Sequence, residues 1–179
     1  MKKKNLGFTM IELLIVIVIL GILSVIGLGS FRAAQVKSRD ANRKGSLSAI
    51  ATSLEVYYND YGNYPEDDSG GAGSGAGLIA GCGVSGAQNC TYGSIWQDDN
   101  NTTYMVELPD DPSFNAFHYV SDGTEYKLYA RLENTNDVSV VQHSGAGGVY
   151  SGLETDCGGE GCNYGITSTN TTLGTAVAD

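Results

Sequence analysis

Basic residues are almost missing from the last three quarters of this 179-residue chain. After Lys44 the only Lys or Arg residues are Lys127 and Arg131, set against 18 acidic residues. Because a nucleic-acid interface needs a basic stripe to neutralise the phosphates, this composition argues against nucleic-acid binding through the acidic region. Five basic residues are concentrated between residues 32 and 44 instead. Such a segment is either a solvated helix face or a surface attracted to the acidic region of a neighbouring molecule.

Catalytic motifs are also missing. The chain has two histidines, His118 in an aromatic stretch and His143 in a polar turn, and no nucleophile motif accompanies either of them. Both therefore fit a structural or exposed role better than that of a general base. The glycine-rich segment near residue 70 lacks the Gly-Lys-Ser/Thr of a phosphate-binding loop. We predict that the protein is not an enzyme.

Proline is rare, and the first of the three prolines is Pro65. In the second half of residues 31–58 apolar side chains recur at spacings of three and four, which is typical of an amphipathic helix. The turn-forming residues that follow, ending at Pro65, stop the helix near residue 59. Starting from Phe8, the pattern predicts one helix of roughly 50 residues.

The chain has one long apolar run, residues 8–31, in which Glu12 is the only charged residue. About 20 apolar residues are enough to cross a bilayer, and basic residues 2–4 place the preceding leader on the cytoplasmic side. A secretory signal has an apolar region of about 7 to 15 residues followed by a small-residue cleavage site. Here the small residue, Gly7, comes before the run. Cleavage at that point leaves the anchor on the protein.

Glu12 is unfavourable in such a helix, because placing an ionisable group against lipid costs about 2.5 to 3.5 kcal/mol of free energy. Such a residue usually marks a functional contact. We therefore expect its carboxylate to pair with a cation. The surrounding residues resemble the leader junction of type IV pilins and of the pseudopilins of type II secretion; they are Gly7-Phe8-Thr9-Met10-Ile11-Glu12-Leu13-Leu14.

This resemblance implies that a membrane peptidase cuts after Gly7 and methylates the new N-terminal residue, Phe8, and that Glu12 directs assembly. The physical argument agrees with it. After cleavage the Phe8 ammonium lies one helical turn from Glu12, and within a bundle the carboxylate of one subunit can neutralise the terminus of its neighbour inside lipid.

The resemblance extends to about residue 65 and implies an α+β, type IV pilin-like fold. That fold has one long N-terminal helix packed against a small antiparallel sheet, with an extended αβ-loop and a C-terminal disulfide loop. The chain then divides into a cleaved leader (1–7), a transmembrane or filament-core half of the helix (8–31) and an external globular head (32–179). Within the head we expect helix to about 59, a glycine-rich loop over 66–101, an antiparallel sheet over about 103–143 and a loop over 144–179.

Alternation of side chains predicts the strands of this sheet. Residues 124–132 alternate cleanly and place Tyr126, Leu128, Ala130 and Leu132 on one face. Residues 117–120 form a hairpin with them through an Asp-Gly turn, and residues 137–142 supply a third strand. The preceding Leu108-Pro109-Asp110-Asp111-Pro112 resembles the Leu-Pro-x-Asp-Pro that leads into the sheet of major pseudopilins.

All four cysteines lie in the predicted external region, where disulfides form. They allow three connectivities, and proximity along the chain favours Cys82 with Cys90 and Cys157 with Cys162. The resemblance implies a bridge of the second kind, because pilins often close a C-terminal loop in this way. The spacing lacks the Cys-x-x-Cys pairs of a closed zinc site.

We predict no cofactor and no metal site. The resemblance leaves calcium as an alternative, because major pseudopilins often bind this ion in loops near the C-terminus. No spacing here forms a recognisable calcium loop. The carboxylates that could supply oxygen ligands are Asp98, Asp99, Asp110, Asp111, Asp122, Asp156 and Glu160.

Together with these patterns, the resemblance implies a pilin, a structural subunit that polymerises through its apolar helix into a type IV pilus-like filament for adhesion, motility or DNA uptake. Its expected partners are identical subunits, the prepilin peptidase and methylase, an inner-membrane assembly platform and the membrane that holds the precursor. The assembled protein would be an extracellular filament on a bacterial surface. The alternatives are a type II secretion major pseudopilin and, further away, a single-pass anchored extracellular binding module or enzyme.

Overall fold

The computed structural model describes residues 7–68, 77–82, 88–113, 117–144, 146–154 and 156–178. The leader up to residue 6 and the glycine-rich run 69–76 lie outside these residues. The chain divides into two compact units, Met1–Ser38 and Arg39–Asp179.

The first unit contains the N-terminal part of helix α1 (Met10–Tyr61), which has 52 residues. The helix begins two residues later than the sequence pattern predicts. Between Met10 and Leu23 its large apolar side chains are exposed on every side. Among the residues that the structure describes, no helix has both the length and the apolarity that a bilayer span requires.

The second unit, Arg39–Asp179, is called the head from here on and contains the amphipathic part of α1. Leu47, Ile50 and Leu54 are completely buried, and their spacing of three and four residues places them on one face of the helix. This confirms the predicted amphipathic helix. They pack with the apolar side chains of the sheet, among them Leu128 and Ala130, in one hydrophobic core.

Helix α1 ends two residues beyond the predicted position. Gly62 adopts a positive φ of 73° and its N–H donates to the Tyr58 carbonyl at 2.7 Å. A left-handed glycine directly after the last turn is the usual C-terminal cap of a helix. The end is therefore determined by Gly62, and Pro65 lies beyond it.

Three small antiparallel sheets complete the described part of the head, with strand orders β1-β2, β3-β4-β7 and β5-β6-β8. A tight four-residue turn, named α2 here (Asp156–Gly159), precedes β7; Cys157 and Gly158 in it have positive φ angles of 53° and 83°, so it is not a regular α-helix. The strands are β1 (Trp96–Gln97), β2 (Thr103–Met105), β3 (His118–Ser121), β4 (Tyr126–Ala130), β5 (Gln142–His143), β6 (Ala146–Tyr150), β7 (Tyr164–Thr167) and β8 (Ala176–Ala178).

The predicted hairpin is confirmed by β3 and β4, which pair from Ser121 opposite Tyr126. Gly123 has a positive φ of 85° in the turn between them. The predicted inward face of β4 is buried, as expected. Tyr129, on the opposite face, is buried as well, because the ring of Tyr150 covers it at a centroid distance of 5.1 Å.

The predicted third strand at 137–142 is wrong. The Asp137 carboxylate accepts the Ser139 N–H at 2.9 Å and the Lys44 ammonium at 2.7 Å, which stabilises a turn, and Val138 is 99% exposed. The third strand of the sheet is β7, paired with β4. It is short and contains a glycine, so its pattern is weak. The segment 144–179, expected to be a loop, also contains β6, α2 and β8.

Within the predicted loop over 66–101, the described residues 77–82 and 88–101 are more ordered than the composition of the loop indicates. Ile79 is completely buried, and the Ala80 N–H donates to the Glu66 carbonyl at 2.9 Å. Further along, β1 brings Trp96, the only tryptophan of the chain, into the core. The loop is therefore attached to the head at both places.

Candidate functional site

The start of α1 is a capping box. The Thr9 N–H donates to Glu12 Oε2 at 2.8 Å, and the Glu12 N–H donates to Thr9 Oγ1 at 3.3 Å. In this reciprocal arrangement the residue before the helix and the third helical residue satisfy each other's backbone N–H groups. The contact predicted for Glu12 from the sequence is with a neighbouring subunit and does not include this local role, although the Thr-x-x-Glu spacing indicates it.

The same geometry leaves part of the Glu12 carboxylate available. Both the N–H and the hydroxyl of Thr9 donate to Oε2, the hydroxyl at 2.7 Å. Within the described residues no hydrogen bond involves Oε1. Thr9 therefore orients the carboxylate at the helix N-terminus and leaves one oxygen to accept a further donor.

Gly7 and Phe8 precede the helix. Both are exposed, and their backbone is not helical. A Cβ added at Gly7 would meet nothing within 4 Å. The peptide bond between them is therefore accessible to an enzyme, next to a helix whose apolar side chains are exposed.

Residues 2–28 match the family model described as the prokaryotic N-terminal methylation motif. The type II secretion system core protein G of Pseudomonas aeruginosa is 30% identical over 131 residues, which cover 72% of this chain and 84% of that protein. The chain belongs to the type IV pilin and type II secretion pseudopilin family.

Two further relatives differ in how much of the chain they match. The type II secretion system core protein G of Aeromonas hydrophila is 25% identical over 127 residues, 71% of this chain and 80% of that protein. The type IV major pilin protein PilA of Myxococcus xanthus is 35% identical over 63 residues, 35% of this chain and 29% of that protein. No solved structure was found to match the chain.

In this pilin-family head, a buried ion network attaches the helix to the sheet. Arg43 is completely buried, and its guanidinium lies 2.6 Å from Asp111, 2.7 Å from Asp40 and 2.9 Å from Glu133. Arg39 forms a second ion pair with Glu133. Asp111 is the aspartate of the segment that resembles Leu-Pro-x-Asp-Pro, so the role of this aspartate here is to pair with the buried Arg43.

Asp40 extends the network to the backbone. It is 2% exposed and accepts the N–H groups of Glu133 and Asn134, both at 2.9 Å. One carboxylate on α1 thereby holds the chain that leaves β4. The Asp40 carboxylate and the Arg43 guanidinium are both buried away from water. Removing any one of their partners should therefore lower the stability of the folded head.

The network corrects the prediction for the basic segment 32–44. Arg39 and Arg43 are neutralised by acids of their own head, and Lys44 pairs with Asp137. They are therefore neither a solvated face nor a surface for a neighbour. Arg32 and Lys37 are exposed, and no ion pair involves them among the described residues.

The network makes the stability of the head dependent on pH. Hydrogen bonds from Arg39 and then Arg43 outweigh burial and lower the pKa of Glu133 from 4.5 to about 2. A carboxylate whose pKa is depressed in the folded state adds stability that is complete above its unfolded pKa and is lost as pH falls to the folded pKa. We expect the free energy of unfolding, measured with denaturant, to decrease between about pH 4.5 and pH 2. Glu133→Gln should reduce this decrease, and an unchanged slope would contradict the role of Glu133.

The four cysteines form two disulfides, Cys82 with Cys90 and Cys157 with Cys162. These are the pairings that proximity favours. The second bridge packs with Tyr129 and Tyr150 in a small cluster. It lies on the outer face of β4 and closes the tight turn that contains α2.

The candidate calcium ligands have other partners. Asp98 accepts the Tyr61 hydroxyl at 2.6 Å, and Asp111 binds Arg43. In the part of the chain that the structure describes, no group of three or more His, Cys, Asp or Glu residues is arranged to hold a metal. His118 lies in β3 with Nδ1 3.7 Å from Asp156, and His143 is exposed in β5. Calcium binding stays an alternative prediction.

Proposed function

We propose that this protein is the structural subunit of a helical filament, formed after cleavage behind Gly7 and methylation of Phe8. One observation carries the proposal. The methylation motif leads into a helix whose apolar side chains are exposed and whose first turn contains the oriented carboxylate of Glu12. The methylation motif implies a membrane-anchored precursor and a surface filament. We assign no catalytic activity to the chain.

Assembly would proceed through charge pairing at the helix N-termini. Cleavage creates an ammonium on Phe8, and Glu12 of a subunit already in the filament offers Oε1 to it. Thr9 keeps Oε2 occupied, so the carboxylate stays oriented while it accepts the new donor. The exposed apolar helices then pack together, and the charge pair sets the axial register of the incoming subunit.

The filament could be a type II secretion pseudopilus or a type IV pilus, and the two are supported to different extents. The match to core protein G includes most of the head and favours a major pseudopilin of type II secretion. The match to the pilin of Myxococcus xanthus supports a type IV pilus that serves adhesion, motility or DNA uptake, but it spans 63 residues. A strain lacking this subunit separates them: a pseudopilin mutant loses secreted proteins, whereas a pilin mutant loses surface pili.

Mass spectrometry of the protein purified from its own cells tests the processing step. We expect the mass of residues 8–179 plus one methyl group on the Phe8 nitrogen, less four hydrogens for the two disulfides. The same sample should contain filaments visible by electron microscopy. A chain that still begins at Met1, or is cut elsewhere, would overturn the proposal.

A further inference from the structure

One basic surface of the helix makes no ion pair with any residue that the structure describes. Ala33 and Val36 are three residues apart and share a face of α1, and helical geometry places Arg32 and Lys37 on either side of them. Arg32, Ala33 and Lys37 are exposed and Val36 is half-buried. This surface, called the basic groove below, is an apolar strip between two cations.

The head has a surface of the opposite character. Ile95 and Val106 are 51% and 82% exposed, although they adjoin the buried core residue Trp96 and its partner Met105. The Leu108 N–H donates to the Ser94 carbonyl at 2.7 Å, so hydrogen bonds fix the chains on both sides of this pair. The two apolar side chains therefore stand on a rigid support.

Acidic residues adjoin this apolar pair. Glu107 directly follows Val106, Asp110 lies three residues further along, and both are exposed. Among the described residues neither carboxylate takes part in an ion pair. Ile95, Val106, Glu107 and Asp110 are called the acidic ridge below.

We propose that the acidic ridge of one subunit docks into the basic groove of a second copy in the filament. The proposal rests on the proposed function, because it requires polymerisation. The two surfaces match in both respects: the apolar pair meets the apolar strip, and the two acids face the two cations. Complementary charges of this kind contribute to specificity and register more than to affinity. They would set the rotation of each head about the filament, which the buried Glu12 contact does not specify.

Charge exchange tests the proposal in the full-length protein. Reversal on the ridge alone (Glu107→Lys with Asp110→Lys) or on the groove alone (Arg32→Glu with Lys37→Glu) should lower the filament yield by at least about tenfold, because like charges then face each other. Combining the two reversals should restore the yield to within about twofold of the native protein. The matched control reverses two exposed acids outside the ridge that make no ion pair among the described residues, Glu66→Lys with Glu154→Lys, and should leave assembly unchanged.

Disulfide trapping tests the contact itself, whether or not a reversal variant folds. Two forms of the subunit are expressed together, one carrying Ala33→Cys and the other Val106→Cys. We expect covalent dimers within filaments, because two cysteines bridge only when their Cα atoms are within about 7 Å. Replacing Val106→Cys with Val138→Cys, at an exposed apolar position outside the ridge, should give no dimer.

The outcomes separate this inference from the proposed function. The docking contact alone would be overturned if filaments form normally but contain no covalent dimer. The same holds if Val138→Cys gives as much dimer as Val106→Cys, or if the bridge forms within a single chain. Failure of the combined reversal to restore assembly, or an equal loss in the control reversal, would also overturn it. If the native protein forms no filament under any condition, the proposed function fails first.

Discussion

Replacing Glu12 with glutamine will abolish filament assembly and leave cleavage after Gly7 intact. Glutamine can take the place of glutamate in a capping box, so the start of α1 should be preserved while the negative charge is lost. Without that charge the Phe8 ammonium of an incoming subunit has no counter-ion inside lipid, which costs about 2.5 to 3.5 kcal/mol and weakens each addition by about a hundredfold. Electron microscopy counts the filaments, and mass spectrometry of the N-terminus confirms processing.

Thr9→Val is the matched control. It removes the hydroxyl that donates to Glu12 Oε2 and accepts the Glu12 N–H, but it keeps the carboxylate and its charge. Loss of a capping side chain costs about 1 kcal/mol, so we expect filament yield to decrease by severalfold and not to disappear. If Glu12→Gln assembles normally while Thr9→Val does not, the carboxylate acts by capping its own helix and the charge-pair model is wrong.

The methylation motif could be recognised from the sequence because its residues are consecutive in the chain. Gly7, Phe8 and Glu12 form one short motif, and the apolar run that follows them is visible without any tertiary information. The hairpin of β3 and β4 was accessible for the same reason, since its turn and both of its strands are adjacent in the chain. Local periodicity and turn chemistry are sufficient where partners are neighbours.

The buried ion network around Arg43 could not be predicted in this way. Arg43 and Asp111 are 68 residues apart, and Arg39 and Glu133 are 94 residues apart. No periodicity connects residues at such distances, so from sequence the run of basic residues fits a solvated helix face and a surface for a neighbouring molecule equally well. Strand β7 was not predicted for a related reason, because its pairing with β4 brings Thr167 opposite Lys127, and β5, β6 and α2 lie between the two strands in the chain. Tertiary packing determined both.

Breaking the buried ion network around Arg43 is expected to cause a large loss of stability. Arg43→Met will destabilise the head by about 3 to 5 kcal/mol, because methionine fills much of the same space but leaves the Asp40 and Asp111 carboxylates buried without their cation. The sole tryptophan, Trp96, is completely buried in the head core, so its fluorescence reports unfolding directly. Urea titration of the mature subunit in detergent measures the loss.

Arg39→Met provides the comparison, since it removes one cation of the same network from a partly exposed position. The Arg39 side chain is 33% exposed, and Glu133 keeps Arg43 as a partner at 2.9 Å. Ion pairs with this degree of exposure contribute about 0 to 1 kcal/mol, so we expect a small change in the urea midpoint. Equal destabilisation by the two variants would mean that net charge along the helix, and not burial of Arg43 among its carboxylates, holds the helix to the sheet.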